Sequence, residues 1–377
     1  MVAACGLDAA PELPLPALAA AALVAALPAL LTAAADLLQG RAGYMGSGEV
    51  VARIDLAGGG GLQVTAVEDA GAGAPAGAAP GSRQQWRVLR FQPCLDYVQA
   101  VTRVCVAPPG GPEPRVRLLS QVLSLPYNRS LVAVTLAALA AAGAPVLAAA
   151  RGEHGAGPLL RVLCLGLGGG SVPSFLAGAL PGCHVDVAEL EPAVLRAATD
   201  AMGFRQGPRL RVGVEGGGPF ALRAAEGAGA GGAYDAVVSP KGRRLQEMYG
   251  QGGDVVRALA RGLLRALSGL NHDPIPVSGI TSEPGLLSAN FLPGTDVVPR
   301  LRAYGEALRE RGLTPGPGFS AEAEEGNLMT VQVCGGPTGA TEAEWRGAVA
   351  RGAREVGAAI GCDFDMEEEA TRRFRVW

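Results

Sequence analysis

The stretch RVLCLGLGGGSVPSFLAGALPGCHVDVAELEP, residues 161–192, sets how the rest of the chain is read. Its apolar run Val162 to Leu165 is short enough for a strand buried on both faces, and it passes directly into Gly166, Gly168, Gly169 and Gly170. From Ser171 the period becomes helical. Val172, Phe175, Leu176 and Leu180 recur along one face, and Pro173 is tolerated in a first turn, where its missing N–H has no partner to lose. Pro181-Gly182 stops that helix, and a second apolar run, Val185 to Ala188, ends on Glu189 and Glu191. Strand, helix and strand in this order predict one βαβ unit with its two strands as parallel neighbours.

That unit predicts a ligand. Glycines let the backbone come close to a bound molecule at the carboxyl end of a parallel strand, where open sheets bind their ligands. Glu189 stands about twenty residues beyond the loop, the spacing at which the nucleotide-binding fingerprint places its ribose-binding carboxylate. The chain holds 56 glycines in 377 residues, roughly twice the usual share, so glycine clusters also arise from composition alone. The order strand, glycines, helix, strand, acid is what distinguishes this cluster from an empty structural turn.

Composition bounds the function. The length suits a core domain with a smaller companion, and 49% hydrophobic residues suit a packed globular protein. A net charge of −3 supplies no basic field for a polyanion and argues against nucleic acid as a partner. Seven cysteines without a CxxC pair point to reduced thiols in an intracellular compartment, cytoplasmic or organellar. His154, His184 and His272 are not spaced with other ligands as a metal site requires. Residues 13–35 carry no charge and are long enough to span a bilayer. Alanine contributes little hydrophobicity, however, Pro28 interrupts the run and no basic residue precedes Arg41, so residues 1–44 are read as a helical or disordered leader rather than a membrane anchor.

From Glu49 onward short β-branched and aromatic runs predict strands at Val50–Leu56, Leu62–Val67, Trp86–Phe91 and Tyr97–Val106, with residues 70–83 as a flexible insertion. A small antiparallel β domain, residues 45–110, therefore precedes the core, residues 111–338. Residues 118–145 read as a helical segment in which Pro126 starts a run. After Glu191 come a helix Pro192–Met202, a strand Leu210–Val214, a helix around Pro219–Ala225 and a strand Tyr234–Val238. In residues 239–283 only Val255–Leu270 has a helical look. Leu286–Leu292 reads as a strand, Asp296–Arg311 as an amphipathic helix and Leu328–Cys334 as the final strand; the tail, residues 339–377, reads as one or two charged helices. The alternation means an α/β doubly wound sheet.

The runs VLCLGLGGGSVPSFL and VDVAELEPAVLRAATDAMGF resemble the spermidine-synthase-like branch of the S-adenosylmethionine-dependent methyltransferase superfamily. Upstream, FQPCLDYVQAVTRV, residues 91–104, is similar to the LDGxxQ segment that ends the β domain of aminopropyltransferases, and LPYNRSLV, residues 125–132, stands where their YQE segment does. Downstream, YDAVV and LLSANFLPGTDVVPRLRAY resemble the fourth and fifth core strands, so the likeness runs over about residues 45–335. It implies a Rossmann-like methyltransferase sheet preceded by a small antiparallel β domain, with S-adenosylmethionine as cofactor. It also implies cofactor contacts at Gly166, Gly168, Gly169, Gly170, Glu189 and Gln99, and a homodimer formed through the β domain.

Departures from the pattern shape the functional expectation. Ser171 stands where aminopropyltransferases hold the amino end of the transferred group with an aspartate, and Arg129 replaces the acid of YQE. Ser239, Pro240 and Lys241 stand where their fourth strand leads to the deprotonating aspartate. The adenine-contacting aspartate corresponds to Gly216, with Glu215 as the nearest acid. A cationic polyamine needs carboxylates that are missing, which argues against polyamine synthesis by aminopropyl transfer. Methyl transfer from an activated sulfonium needs mainly positioning, and GLGGGS is typical of the methyltransferase-like members. The expectation is a methyltransferase of unknown acceptor, with no catalytic residue identified; the alternative is a non-catalytic binding or assembly module that keeps the fold.

Overall fold

The computed structural model describes residues 48–56, 59–69, 72–73, 75, 77–92, 95, 98–110, 115–153, 158–216, 220, 234–240, 285–309, 314–334 and 340–377. The leader, the segment 241–284 with its expected helix, and most of the helix expected around Pro219–Ala225 lie outside these residues. The described residues all belong to one compact unit.

Five antiparallel strands open it in meander order: β1 (Glu49–Asp55), β2 (Gly61–Glu68), β3 (Arg83–Phe91), β4 (Val98–Val106) and β5 (Val116–Leu118). Residues 118–145 are not helical from the start, as the sequence reading had them. Leu118 ends β5, and helix α1 (Pro126–Ala141) begins only at Pro126, whose fixed φ suits a first helical position. A short α2 (Val146–Ala150) follows. The core then runs β6 (Leu160–Leu165), α3 (Ser171–Ala179), β7 (Cys183–Glu189), α4 (Pro192–Asp200), β8 (Leu210–Val214), β9 (Ala236–Ser239), β10 (Gly285–Phe291) and α5 (Val298–Arg309). It ends with β11 (Pro315–Glu322), β12 (Leu328–Cys334), α6 (Glu342–Ile360), α7 (Met366–Thr371) and β13 (Arg375–Val376).

The second sheet has the order β13-β11-β12-β10-β9-β6-β7-β8. Strands β8, β7, β6, β9 and β10 are parallel, and β12 enters antiparallel beside β10. This is the doubly wound, Rossmann-like sheet with a small antiparallel β sheet in front. The chain proceeds from β6 outward through β7 to β8, then continues on the opposite side of β6 with β9 and β10. The carboxyl ends of β6 and β9 are therefore the topological switch point, where such sheets open a crevice. Leu328–Cys334 is not the final strand: β13 adds to the outer edge through β11, which PGPGFSAE did not advertise because its Pro and Gly positions obscure any alternation.

One core joins both sheets. Leu62, Val64, Leu89 and Ala100 from the front sheet pack with Val162, Cys164, Val185 and Val187 of the parallel strands and with the buried side of α1. Helix α6 covers α1 with the stripe Trp345, Val349, Ala353 and Val356. Its backbone comes so close that a Cβ at Gly352 would lie 2.8 Å from the Ala137 carbonyl oxygen. Thr341 and Glu344 form a capping box at the start of α6. Thr341→Ala should cost about 1 kcal/mol in chemical denaturation while leaving ligand binding unchanged.

Glu369 on α7 is buried, accepts a hydrogen bond from Ser130 Oγ on α1, and has Arg372 at 3.5 Å. Burial raises its carboxyl above the usual glutamate range, against the hydrogen bond from Ser130. The native state thus binds this proton more readily than the unfolded chain. The contribution to stability is present below the ordinary pKa and is lost as pH rises through the raised one. Wild type should gain stability relative to Glu369→Gln on acidification from pH 7 towards pH 5; parallel urea midpoints for the two proteins would refute the assignment.

Candidate functional site

The glycine loop is built from two kinds of glycine. Gly166, Gly168 and Gly170 have φ of 100°, 55° and 81°, left-handed backbone that other residues avoid. A Cβ on Gly166 would meet nothing within 4 Å, whereas one on Gly169 would lie 2.7 Å from Met202 and 2.9 Å from Thr102, and one on Gly170 2.4 Å from the Phe204 ring. The first turn of the loop thus faces open space, and its second half is pressed against β4 and the end of α4. Among the described residues the amides of Gly168 and Gly169 have no acceptor. They precede the start of α3, whose unpaired N–H groups and dipole favour electron-rich ligand atoms.

Glu189 ends β7 at this edge and is 7% exposed. Its Oε2 accepts from the Leu167 amide at 2.7 Å, and its Oε1 accepts from the Glu191 amide at 3.0 Å. The carboxylate therefore spans from the tip of β7 to the glycine loop, and each oxygen keeps a further lone pair for a ligand hydroxyl. Beside it stand two features that sequence reading missed. Leu190 and Val214, at the tips of β7 and β8, are 47% and 45% exposed. Two apolar side chains left bare beside a buried carboxylate suit a flat, partly apolar ring system. Glu215 follows Val214 immediately and is half-buried, while Phe220 Cε2 would lie 2.4 Å from a Cβ on Gly213 and so closes the base of that turn.

Gln99 lies at an irregularity of β4. Leu89 pairs with Ala100 and Arg90 with Val98, so Gln99 is the unpaired residue of a β-bulge. A bulge breaks the strict alternation of β4 and re-aims the side chain. The neighbouring Ala100 Cβ is 3.6 Å from where a Cβ on Gly168 would lie, so this part of β4 runs beside the glycine loop.

The structure separates the residues that replace the aminopropyltransferase acids. Ser171 is buried at the first position of α3. Arg129 turns into the body: its Nε donates to the Leu123 carbonyl at 2.7 Å, and its guanidinium lies 6.0 Å from the Phe364 ring. Ser239 is buried with no partner for its hydroxyl among the described residues, and the Pro240 carbonyl accepts from the Nδ2 of Asn290, the Oδ1 of which accepts from Asn327. Lys241 lies outside the described residues. Asn327 sits in the β11–β12 turn. Because Leu328 pairs with Phe291 at the carboxyl end of β10, that turn borders the same edge as the glycine loop. From it Glu325 Oε1 accepts the Tyr127 amide at 2.8 Å, supplying the cap that Leu125 cannot give to α1.

No family model matches the chain. In sequence it is 35% identical over 79 residues to the human eEF1A lysine and N-terminal methyltransferase; the match covers 21% of this chain and 11% of that protein. It is 44% identical over 52 residues to the polyamine aminopropyltransferase of Vibrio vulnificus, covering 14% of this chain and 17% of that one. Among solved structures, human methyltransferase-like protein 13 in complex with SAH aligns at 20% identity over 63% of this chain and 92% of that chain, with a TM-score of 0.40. The matched stretches are short beside the relatives' own lengths. In sequence the chain is thus similar to methyltransferases and to an aminopropyltransferase, the two sides of the spermidine-synthase-like branch that its glycine loop and front sheet resemble.

Proposed function

We propose that this chain is an S-adenosylmethionine-dependent methyltransferase. The observation that carries the reading is Glu189, a buried carboxylate held by the glycine-loop amide of Leu167 at the switch point, with Leu190, the next residue, and Val214, its cross-strand partner, exposed. A ribose offers two hydroxyls to such a carboxylate, and an adenine offers a flat face to such side chains. Gly166 keeps its Cβ position open for the rest of the ligand, and half-buried Glu215 follows Val214 at the tip of β8. The residues present fit a nucleoside-bearing cofactor.

S-adenosylmethionine supplies a methyl group on a sulfonium that is already activated, so orientation by the protein accounts for most of the acceleration. This chain's part is to bind the nucleoside, shield it and present the acceptor along the carboxyl edge. The similarity to methyltransferases supports the same chemistry. Aminopropyl transfer fits poorly, because Arg129 is committed to Leu123 and Phe364, and Ser171 carries no charge to hold an ammonium.

A thermal titration tests the proposal. A ligand that binds only the native state at about 100 times its Kd adds about 2.7 kcal/mol of stability, a rise of several degrees in Tm. S-adenosylmethionine and S-adenosylhomocysteine should both produce it. No shift with either nucleotide removes the reading, and a shift with the decarboxylated cofactor alone restores aminopropyl transfer.

A further inference from the structure

Two helices start at the carboxyl edge without local caps. The N-cap of α1 is Leu125 and that of α3 is Gly170, and neither caps its helix with its own side chain; α1 takes a cap from Glu325 of the β11–β12 turn, and α3 has none among the described residues. Helix α3 is only nine residues long. An uncapped helix of that length takes its position from tertiary packing rather than from its own sequence.

The connection between α6 and α7 supplies such packing. Phe364 lies with its ring centroid 6.3 Å from that of Phe175 on α3 and 6.0 Å from the Arg129 guanidinium on α1. Arg129 is held in that pose by the Leu123 carbonyl. Five residues on, buried Glu369 bonds Ser130, next to Arg129 on α1. Both ends of the connection are tied down. Gly361 closes α6 with φ 62°, and Asp365 caps α7 by accepting from the Glu368 amide at 2.9 Å, which leaves Phe364 little freedom to move away.

We propose that residues 361–372 form a strap that positions the starts of α1 and α3, with Phe364 as its positioning residue, so that the geometry of the glycine loop depends on a side chain outside the site. Its consequence for cofactor affinity rests on the methyltransferase reading; its consequence for the loop does not. Arg129 then has a use. The position that carries an acid in aminopropyltransferases holds the aromatic ring of the strap.

The test is hydrogen exchange of the amides of residues 166–172 in the full chain, compared between wild type and Phe364→Ala under conditions where both are folded. Thr341→Ala, a cap loss at the far end of α6, controls for general destabilisation. Phe364→Ala should speed exchange in the loop about tenfold and raise the S-adenosylhomocysteine Kd about tenfold, the Thr341 variant should do neither, and Phe364→Tyr should restore both. Arg129→Ala, which keeps the ring but removes its partner on α1, should act in the same direction and serves if Phe364→Ala does not fold. Loop exchange within twofold of wild type in a folded variant overturns the strap. Should wild type bind no nucleotide, the exchange result alone decides, and it is the methyltransferase reading that fails.

Discussion

Glu189→Ala should abolish the thermal shift produced by S-adenosylmethionine and also lower the stability of the ligand-free protein. Both effects come from one carboxylate. Removing it leaves the Leu167 and Glu191 amides without their acceptor, and a buried donor left unpaired costs about 1–3 kcal/mol. The ligand meanwhile loses the acceptor for its ribose hydroxyls. Glu189→Gln separates the two roles, because its carbonyl oxygen can still take the Leu167 amide while the charge and one acceptor are gone. The amide variant should melt closer to wild type yet bind S-adenosylhomocysteine much more weakly in calorimetry. Full nucleotide affinity in either variant would remove Glu189 from the site and leave it a purely structural tie.

Gly170→Val should be the more damaging change to the fold. At φ 81° a residue with a side chain pays roughly 1–2 kcal/mol for left-handed backbone. Its Cβ would also stand 2.4 Å from the Phe204 ring, which is fully buried and cannot retreat without disturbing the packing around Gly169 and Met202. Overpacking of that kind adds about 1–3 kcal/mol. A total of roughly 2–5 kcal/mol is a large part of the 5–15 kcal/mol by which domains are stable, so the variant should show a much lower urea midpoint or fail to accumulate. Gly166→Ala is the informative contrast. Its Cβ would point into open space, so the strain remains and the clash does not; it should fold with a smaller loss. A urea midpoint for Gly170→Val equal to that of Gly166→Ala would refute the packing argument.

Much of the site was legible because its signals are local. Left-handed backbone favours glycine, and an acid at the tip of the next parallel strand lands at the same edge as the loop, so Gly166, Gly168, Gly170 and Glu189 could be named from spacing. Gln99 came from resemblance alone, and the bulge at which it sits depends on a mismatch between β3 and β4 that no single strand records. Leu190 and Val214 are unremarkable residues in sequence; only their exposure beside Glu189 gives them meaning. The start of α1 was hidden because Leu118 to Leu125 is rich in leucine like the helix that follows, and Leu118, Leu119 and Leu123 are buried without being helical.

From sequence alone came the succession of the five parallel strands, the βαβ unit, the glycine loop and the helical character of the charged tail, since each is a periodicity or a backbone requirement within a few residues. Periodicity tells which side of an element is buried but not what buries it. The antiparallel insertion of β12 between β10 and β11, the docking of α6 on α1 at Gly352, the turning of Arg129 towards Phe364 and the brace between α1 and α3 join residues tens to hundreds of positions apart. Their partners are chosen by how the whole chain fills one core, and that choice exists only in the folded molecule.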